Sequence, residues 1–210
     1  MDELFRTLSS LLPGAVRTAY LPALLRIGYL TETGAPAVVA VDGRCGSGKT
    51  RFAQLASCLF PCRVFHMDDF YLPFSARRTD WERVPAGNID LERLRREVLV
   101  PARAGLPIQY RAFDCRTGSF GPAIHMSALP LTIVEGSYAH HPALAGCYDL
   151  KIFLTCSGEE QSRRLKTREG ARFAAFANRW IPLEERYFRR YGIEACPLRV
   201  DTTGLFPDTK

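Results

Sequence analysis

Three glycines within the stretch "VDGRCGSGKT" stand directly before a lysine and a hydroxyl. Gly43, Gly46 and Gly48 precede Lys49 and Thr50, so the segment Gly43, Arg44, Cys45, Gly46, Ser47, Gly48, Lys49, Thr50 fits the spacing G-x-x-x-x-G-K-[ST]. Glycines carry no Cβ, so the backbone can curl tightly and aim several N–H groups at one anion. A lysine at the end of such a curl reaches the β and γ phosphates of an oligophosphate, and the following hydroxyl is a ligand for Mg²⁺. A helix starting there adds the positive end of its dipole.

This chemistry needs a strand to deliver the loop and a helix to receive it. "AVVAVDG" is a continuous apolar run ending at Gly43, as a strand buried on both faces requires. "TRFAQLASCLF" follows with helical periodicity. Further strands are predicted at "RVFHM", "LTIVEG", "YDLKIFLT" and "LRVDT". Helices are predicted from Leu4 to Leu12 (stopped by Pro13-Gly14), on to about Leu30, over "IDLERLRREVLVP" closing before Pro101, over "SGEEQSRRLKTRE" with Ser157 as cap, and over "PLEERYFRRYG" with Gly192 as stop. Strands alternating with helices predict an α/β fold with a five-stranded, mainly parallel sheet covered on both sides. The interval from Asp69 to Pro130 is too long for an ordinary crossover and marks a functional insertion.

Acids fall where such a sheet binds ligands, beyond the carboxyl ends of its strands. Asp68 and Asp69 follow the second strand, and Glu135 closes the third in the position of a Walker-B-like acid, where it would hold Mg²⁺ together with Thr50. Tyr71, Tyr110 and Phe113 are candidates to stack on a base or line an acceptor pocket. The adjacent pair His140-His141 is not expected to converge on one metal. Cys45, beside Lys49 and a helix start, has surroundings that would lower a thiol pKa, yet an inert thiol is the favoured reading.

The 210 residues suit one domain; 47% are hydrophobic and 24% charged, and a net charge of +6 is spread without a dense basic block. That distribution fits a phosphate-bearing small molecule as well as a nucleic acid. Seven cysteines without CxxC spacing read as reduced thiols. No apolar run spans a membrane, "MDELFRTLSS" lacks the basic start of a signal peptide, and the expected location is cytoplasmic. N-K-x-D, the guanine-reading motif of a GTPase, is missing, and the D-x-x-G at Asp201 to Gly204 lies after all the other strands.

The segments "GRCGSGKT", "HMDDFYLP", "GNIDLERL", "IVEGSYAHHPAL", "YDLKIFL" and "RRLKTRE" occur in the order seen in the uridine kinase family, and the chain resembles it over roughly Val38 to Thr203. The wider group includes phosphoribulokinases, pantothenate kinases and nicotinamide riboside kinases. The resemblance implies a P-loop NTPase three-layer α/β/α sandwich, with 1–34 as an N-terminal helical extension, 69–130 as an acceptor-binding insertion and 157–180 as an arginine-bearing helical lid. It implies Mg²⁺-dependent transfer of the ATP γ-phosphate to a hydroxyl of a nucleoside-like metabolite. In its terms Asp68 is the general base, Asp90 binds sugar hydroxyls of the acceptor, and Arg164 and Arg168, with Arg163, are lid arginines acting beside Lys49 on the transferred charge. Asp90 also fits a helix N-cap, and the two roles can coexist. The expected partner is a small-molecule acceptor, with neither nucleic acid nor membrane; homo-oligomerisation is left open.

The chain departs from this family in one loop. Where uridine kinases read Y-D-F-x-x-H-x-R, this chain has "FDCRTGSF", with Phe113, Gly118 and Phe120 in place of tyrosine, histidine and arginine. The groups that would hydrogen-bond a pyrimidine are missing, so the acceptor is open among a nucleoside, a pyridine riboside, pantothenate or a sugar phosphate. A non-catalytic nucleotide-binding regulatory module and a nucleic-acid end kinase are the alternative readings.

Overall fold

The computed structural model describes residues 2–206. Two antiparallel-packed helices, α1 (Asp2–Leu11) and α2 (Gly14–Glu32), lead into β1 (Ala37–Gly43). The phosphate loop then opens α3 (Lys49–Leu59), followed by β2 (Cys62–His66). A helix over residues 91–103, here α4, precedes a hairpin of β3 (Ile108–Asp114) and β4 (Ser119–Met126). Then come β5 (Leu131–Glu135), β6 (Leu150–Thr155), α5 (Gly158–Glu169), a helical run ending in α6 (Ile181–Tyr191), and β7 (Arg199–Asp201).

The main sheet has the order β2-β5-β1-β6-β7, and every pairing in it is parallel. Strand β1 sits at its centre and is buried along its whole length. Its side chains alternate between two cores. Val38 and Ala40 pack with Phe65, Leu94, Val98, Tyr187 and Phe188 on one face. Val39 and Val41 pack with Leu24, Ile27, Phe52 and Ala56 on the other. The period of two along a strand buried on both sides therefore yields three layers, helix–sheet–helix.

At Gly43 the centre of the sheet meets the loop with no room to spare. A Cβ there would stand 1.9 Å from the carbonyl oxygen of Leu154, and φ is +142°. Only glycine lets β1 pass β6 that closely and still turn into the loop.

Two elements differ from the sequence reading. The helix expected to close before Pro101 runs on to Arg103. A π turn at Arg95–Leu99 shifts the pairing so that the Val100 N–H donates to the Arg95 carbonyl, and Pro101, which has no N–H to place, is accommodated in the last turn. The insertion also holds the β3–β4 hairpin, which pairs apart from the main sheet and turns at Gly118, where φ is +68°. Among the described residues no helix is long and apolar enough to cross a membrane.

Candidate active site

The phosphate loop is shaped by two left-handed glycines, Gly46 at φ +77° and Gly48 at φ +90°. Lys49 is buried and folds back so that its Nζ donates to the carbonyls of Gly43 (2.7 Å) and Arg44 (3.0 Å). Its charge thus lies inside the curl, where an oligophosphate would be cradled. Thr50, in the first turn of α3, donates through Oγ1 to Glu135 Oε1 at 2.9 Å. This pairing joins a hydroxyl and a carboxylate at the end of β5, two hard oxygen donors of the kind Mg²⁺ takes alongside phosphate oxygens and water. Among the described residues no group of three or more His, Cys, Asp or Glu could hold a metal on its own. The donor set fits an ion shared with a bound phosphate rather than a closed protein cage.

His66 Nδ1 lies 2.6 Å from the same Glu135 oxygen. That hydrogen bond raises the His66 pKa against the opposing effect of burial. Asp68 follows within two residues, on a short turn after β2. It is open to solvent on the side of a cavity of about 830 Å³, which it lines with Lys49, Thr50, Tyr71 and Glu135. Protein surrounds its other sides, and this desolvation, with the Glu135 carboxylate nearby, lifts its pKa above the usual carboxylate range. Asp69 is turned away: its Oδ2 accepts from the Tyr110 hydroxyl at 2.8 Å. Of the two adjacent acids, Asp68 is the one on the cavity wall.

Gly46, Gly48, Cys45, Arg164 and Arg168 line the same cavity. Arg164 is already engaged, its guanidinium donating to the carbonyls of Gly46 (3.0 Å) and Thr202 (2.6 Å) and to Glu160 (2.8 Å), so it braces the loop from below. Arg168 is half-exposed, pairs with Glu169 at 2.7 Å and lies over Phe176. Arg163 pairs with Glu160 at 2.8 Å. Arg44 is ion-paired to Glu185 (2.9 Å) and Glu194 (2.8 Å). Ser47 is buried, and its carbonyl accepts from Thr202.

Three expected acceptor residues stand outside the cavity. Asp90 caps α4, its Oδ1 accepting from the Arg93 N–H at 3.0 Å. Tyr110 stacks on Phe70 and holds Asp69. Phe113 meets Phe74 and Phe120 edge-to-face in a small aromatic cluster.

Several cavity residues carry no signature in the sequence. Glu184, buried in α6, accepts from the Cys45 N–H of the loop at 2.9 Å and from the Ser137 hydroxyl. A carboxylate thus occupies a loop amide that would otherwise face an anion. Tyr138 lines the cavity at φ +75°, a conformation that costs free energy in a non-glycine residue and that clusters at functional sites. Below the loop, Asp42 is fully buried and accepts from the Gly43 N–H (2.7 Å), the His140 N–H (2.8 Å) and the Tyr187 hydroxyl (2.7 Å). His140 and His141 diverge: burial lowers both pKa values, His140 packs inside, and His141 Nδ1 accepts from the Ala143 N–H. Cys45 follows the favoured sequence reading of an inert thiol. Burial, with Glu184 beside it, pushes its thiol pKa up rather than down, outweighing Lys49.

Comparison with solved structures agrees with this architecture. A possible uridine kinase from Bacillus stearothermophilus superposes with a TM-score of 0.62 at 21% identity, over 84% of this chain and 97% of that one. D-glycerate 3-kinase from Cryptococcus neoformans var. grubii superposes with a TM-score of 0.59 at 16% identity, over 84% of this chain and 89% of that one. The fold is the three-layer P-loop fold. No protein-family model matches the chain, and neither does any curated protein. At these identities the likeness establishes architecture alone.

Proposed function

We propose that this protein is a Mg²⁺-dependent small-molecule kinase that transfers the γ-phosphoryl group of ATP to a hydroxyl of a nucleoside-like metabolite. One observation carries the reading: Asp68 shares a cavity wall with Lys49, Thr50 and Glu135. A proton acceptor thus faces the place where the loop would hold a terminal phosphate. Phosphoryl transfer asks for positioning, neutralised charge and a partner for the proton of the attacking hydroxyl. Lys49 and the loop amides supply positive potential to the phosphates. Thr50 and Glu135 would hold Mg²⁺, which would supply charge neutralisation on the phosphate oxygens. Asp68 takes the proton of the acceptor hydroxyl as the new oxygen–phosphorus bond forms, and ADP leaves with the electrons of the broken bond. The raised pKa of Asp68 makes it a better proton acceptor than an ordinary aspartate.

A second acceptor class is favoured by a specific observation. Asp90, Tyr110 and Phe113 stand outside the cavity, and of the residues expected to hold a nucleoside Tyr71 alone lines it beside Asp68. A sugar-like or hydroxy-acid alcohol would not need them, and one structural neighbour is a D-glycerate kinase. The test is ADP release by the purified protein over a panel of nucleosides, sugars and hydroxy acids, with and without Mg²⁺. Acceptor-stimulated, Mg²⁺-dependent release supports the kinase reading. ATP binding with no stimulation by any acceptor supports a nucleotide-binding module instead.

A further inference from the structure

We propose that Trp81 and Glu82 of the insertion are positioning residues that set Arg168 over the cavity. This rests on the kinase reading above and deepens it, because the segment on the acceptor side would then hold an arginine that acts on the transferred charge.

The sequence holds two tryptophans, Trp81 in the insertion and Trp180 at the end of the helical run between α5 and α6. Far apart in the chain, their rings meet with centroids 6.1 Å apart and planes tilted by 37°. The Arg179 guanidinium lies over both rings, 4.9 Å from the centre of Trp81 and 5.2 Å from that of Trp180. Its charge is paired with the Glu82 carboxylate. From α6, Arg186 Nη1 donates to the Glu82 carbonyl at 2.7 Å. An exposed ion pair alone would hold the two segments weakly. Tryptophan offers a cation the best face of any side chain, and here one guanidinium meets two. The run between α5 and α6 is fastened to the insertion by these contacts.

One turn earlier the same run reaches the cavity. Phe176–Trp180 is a π turn, with the Ile181 N–H donating to the Phe176 carbonyl. Such turns recur at functional sites. Phe176 and Trp180 both line the cavity. Arg168 lines it too, its guanidinium 5.6 Å from the centre of the Phe176 ring. On the other side of the bridge, Arg77 lies over Trp81 and over Tyr71, 5.6 Å from each ring centre, and Tyr71 lines the cavity with Asp68. Stacked rings and guanidinium groups thus run from the wall that bears the proton acceptor to Arg168.

Arg168 is the arginine that needs such support. Arg164 is fixed by the carbonyls of Gly46 and Thr202. Arg168 pairs with its sequence neighbour Glu169 and rests on Phe176, with no tie to the loop among the described residues. What fixes Phe176 therefore fixes Arg168. A long cation stabilises developing charge best when its place is settled before the reaction. A stack that served only the fold would lower Tm when cut and leave turnover of the folded enzyme unchanged.

The experiment measures ADP release by the full chain with MgATP and uridine, D-fructose or D-glycerate, whichever wild type turns over fastest. At a temperature where melts show each variant folded, Trp81→Ala should lower kcat about tenfold and leave the KM for ATP within threefold. Arg179→Ala, which removes the exposed link itself, should do the same. Trp81→Phe keeps an aromatic face for Arg179 and should hold kcat within threefold of wild type. In an Arg168→Ala background Trp81→Ala should lower kcat less than twofold, because the residue it acts through is already gone. Three results overturn the proposal and leave the kinase reading intact: Trp81→Ala and Arg179→Ala enzymes within threefold of wild type, a Trp81→Phe enzyme as impaired as Trp81→Ala, or a further tenfold loss in the Arg168→Ala background. Absence of turnover by wild type with every acceptor of the panel overturns the kinase reading and this proposal with it.

Discussion

Replacing Asp68 by Asn should damage activity and improve stability in the same molecule. Asparagine keeps the shape of the side chain but cannot take a proton from an alcohol. Positioned general bases contribute about 10²–10⁴-fold in rate, and each tenfold is about 1.36 kcal/mol of barrier. Asp68→Asn should therefore raise the barrier by about 3–5 kcal/mol. Affinity for the nucleotide should hold, because Lys49 and Thr50 are untouched. The stability effect follows from the raised pKa of Asp68, caused first by desolvation and then by Glu135. A carboxyl with a raised folded-state pKa binds its proton more tightly when folded. Its stabilising contribution is full below the unfolded value, about 3.9, and is lost as pH rises through the folded value. At neutral pH the ionised group is a net cost that asparagine removes, so the variant should melt higher than wild type at pH 7, with the gap shrinking as pH falls toward 4. Wild-type turnover should fall on the acid side at a pH above the ordinary aspartate range. ADP release, nucleotide titration and thermal melts at several pH values read all three effects. Turnover within threefold of wild type, with the melting difference absent at every pH, would refute both the proton-acceptor role and the crowding assigned to this carboxylate.

Other consequences can be checked in the same preparations. Tyr187→Phe removes one of three donors to buried Asp42; at about 2 kcal/mol for a hydrogen bond to a charged group, Tm should drop by about 4–8 °C. Glu184→Gln takes a negative charge off the Cys45 amide, and a non-hydrolysable ATP analogue should bind about 3–10-fold tighter by titration calorimetry, as expected when one loop amide is no longer contested by a carboxylate. Iodoacetamide at pH 8 should label exposed Cys58 and Cys115 while sparing Cys45, whose thiol is held protonated by burial; mass spectrometry of peptides gives the answer directly.

What could be seen in the sequence was whatever depends on neighbours in the chain. The apolar run into Gly43 and the glycine spacing after it belong to one continuous segment, and strand, loop and helix follow from that segment alone. The Ser157 cap was legible for the same reason: its Oγ accepts from the Glu160 N–H three residues on. The hairpin of β3 and β4 was hidden although Ile108 and Tyr110 of its first strand join the core. Its second strand is mostly exposed and carries Gly121 and Pro122, which dilute the alternating pattern. Asp90, Tyr110 and Phe113 could be placed near the acceptor by order in the chain, but the face each presents is set by the fold, which gives Asp90 to a helix cap and Tyr110 to Asp69. Glu184 stands 139 residues beyond the Cys45 amide it binds, and a contact set only by how α6 packs on the sheet leaves no mark in local spacing.

The three donors gathered on Asp42 bear on how the molecule breathes. The start of the loop, the turn after β5 and the middle of α6 each lend one proton to the same carboxylate, and none of them can swing out without leaving a charge stranded away from water. Fraying confined to one of these segments is therefore disfavoured, and their amides should exchange with solvent in concert, as a single cooperative unit. Entry and departure of ligands must then be managed by the segments not tied to that anchor.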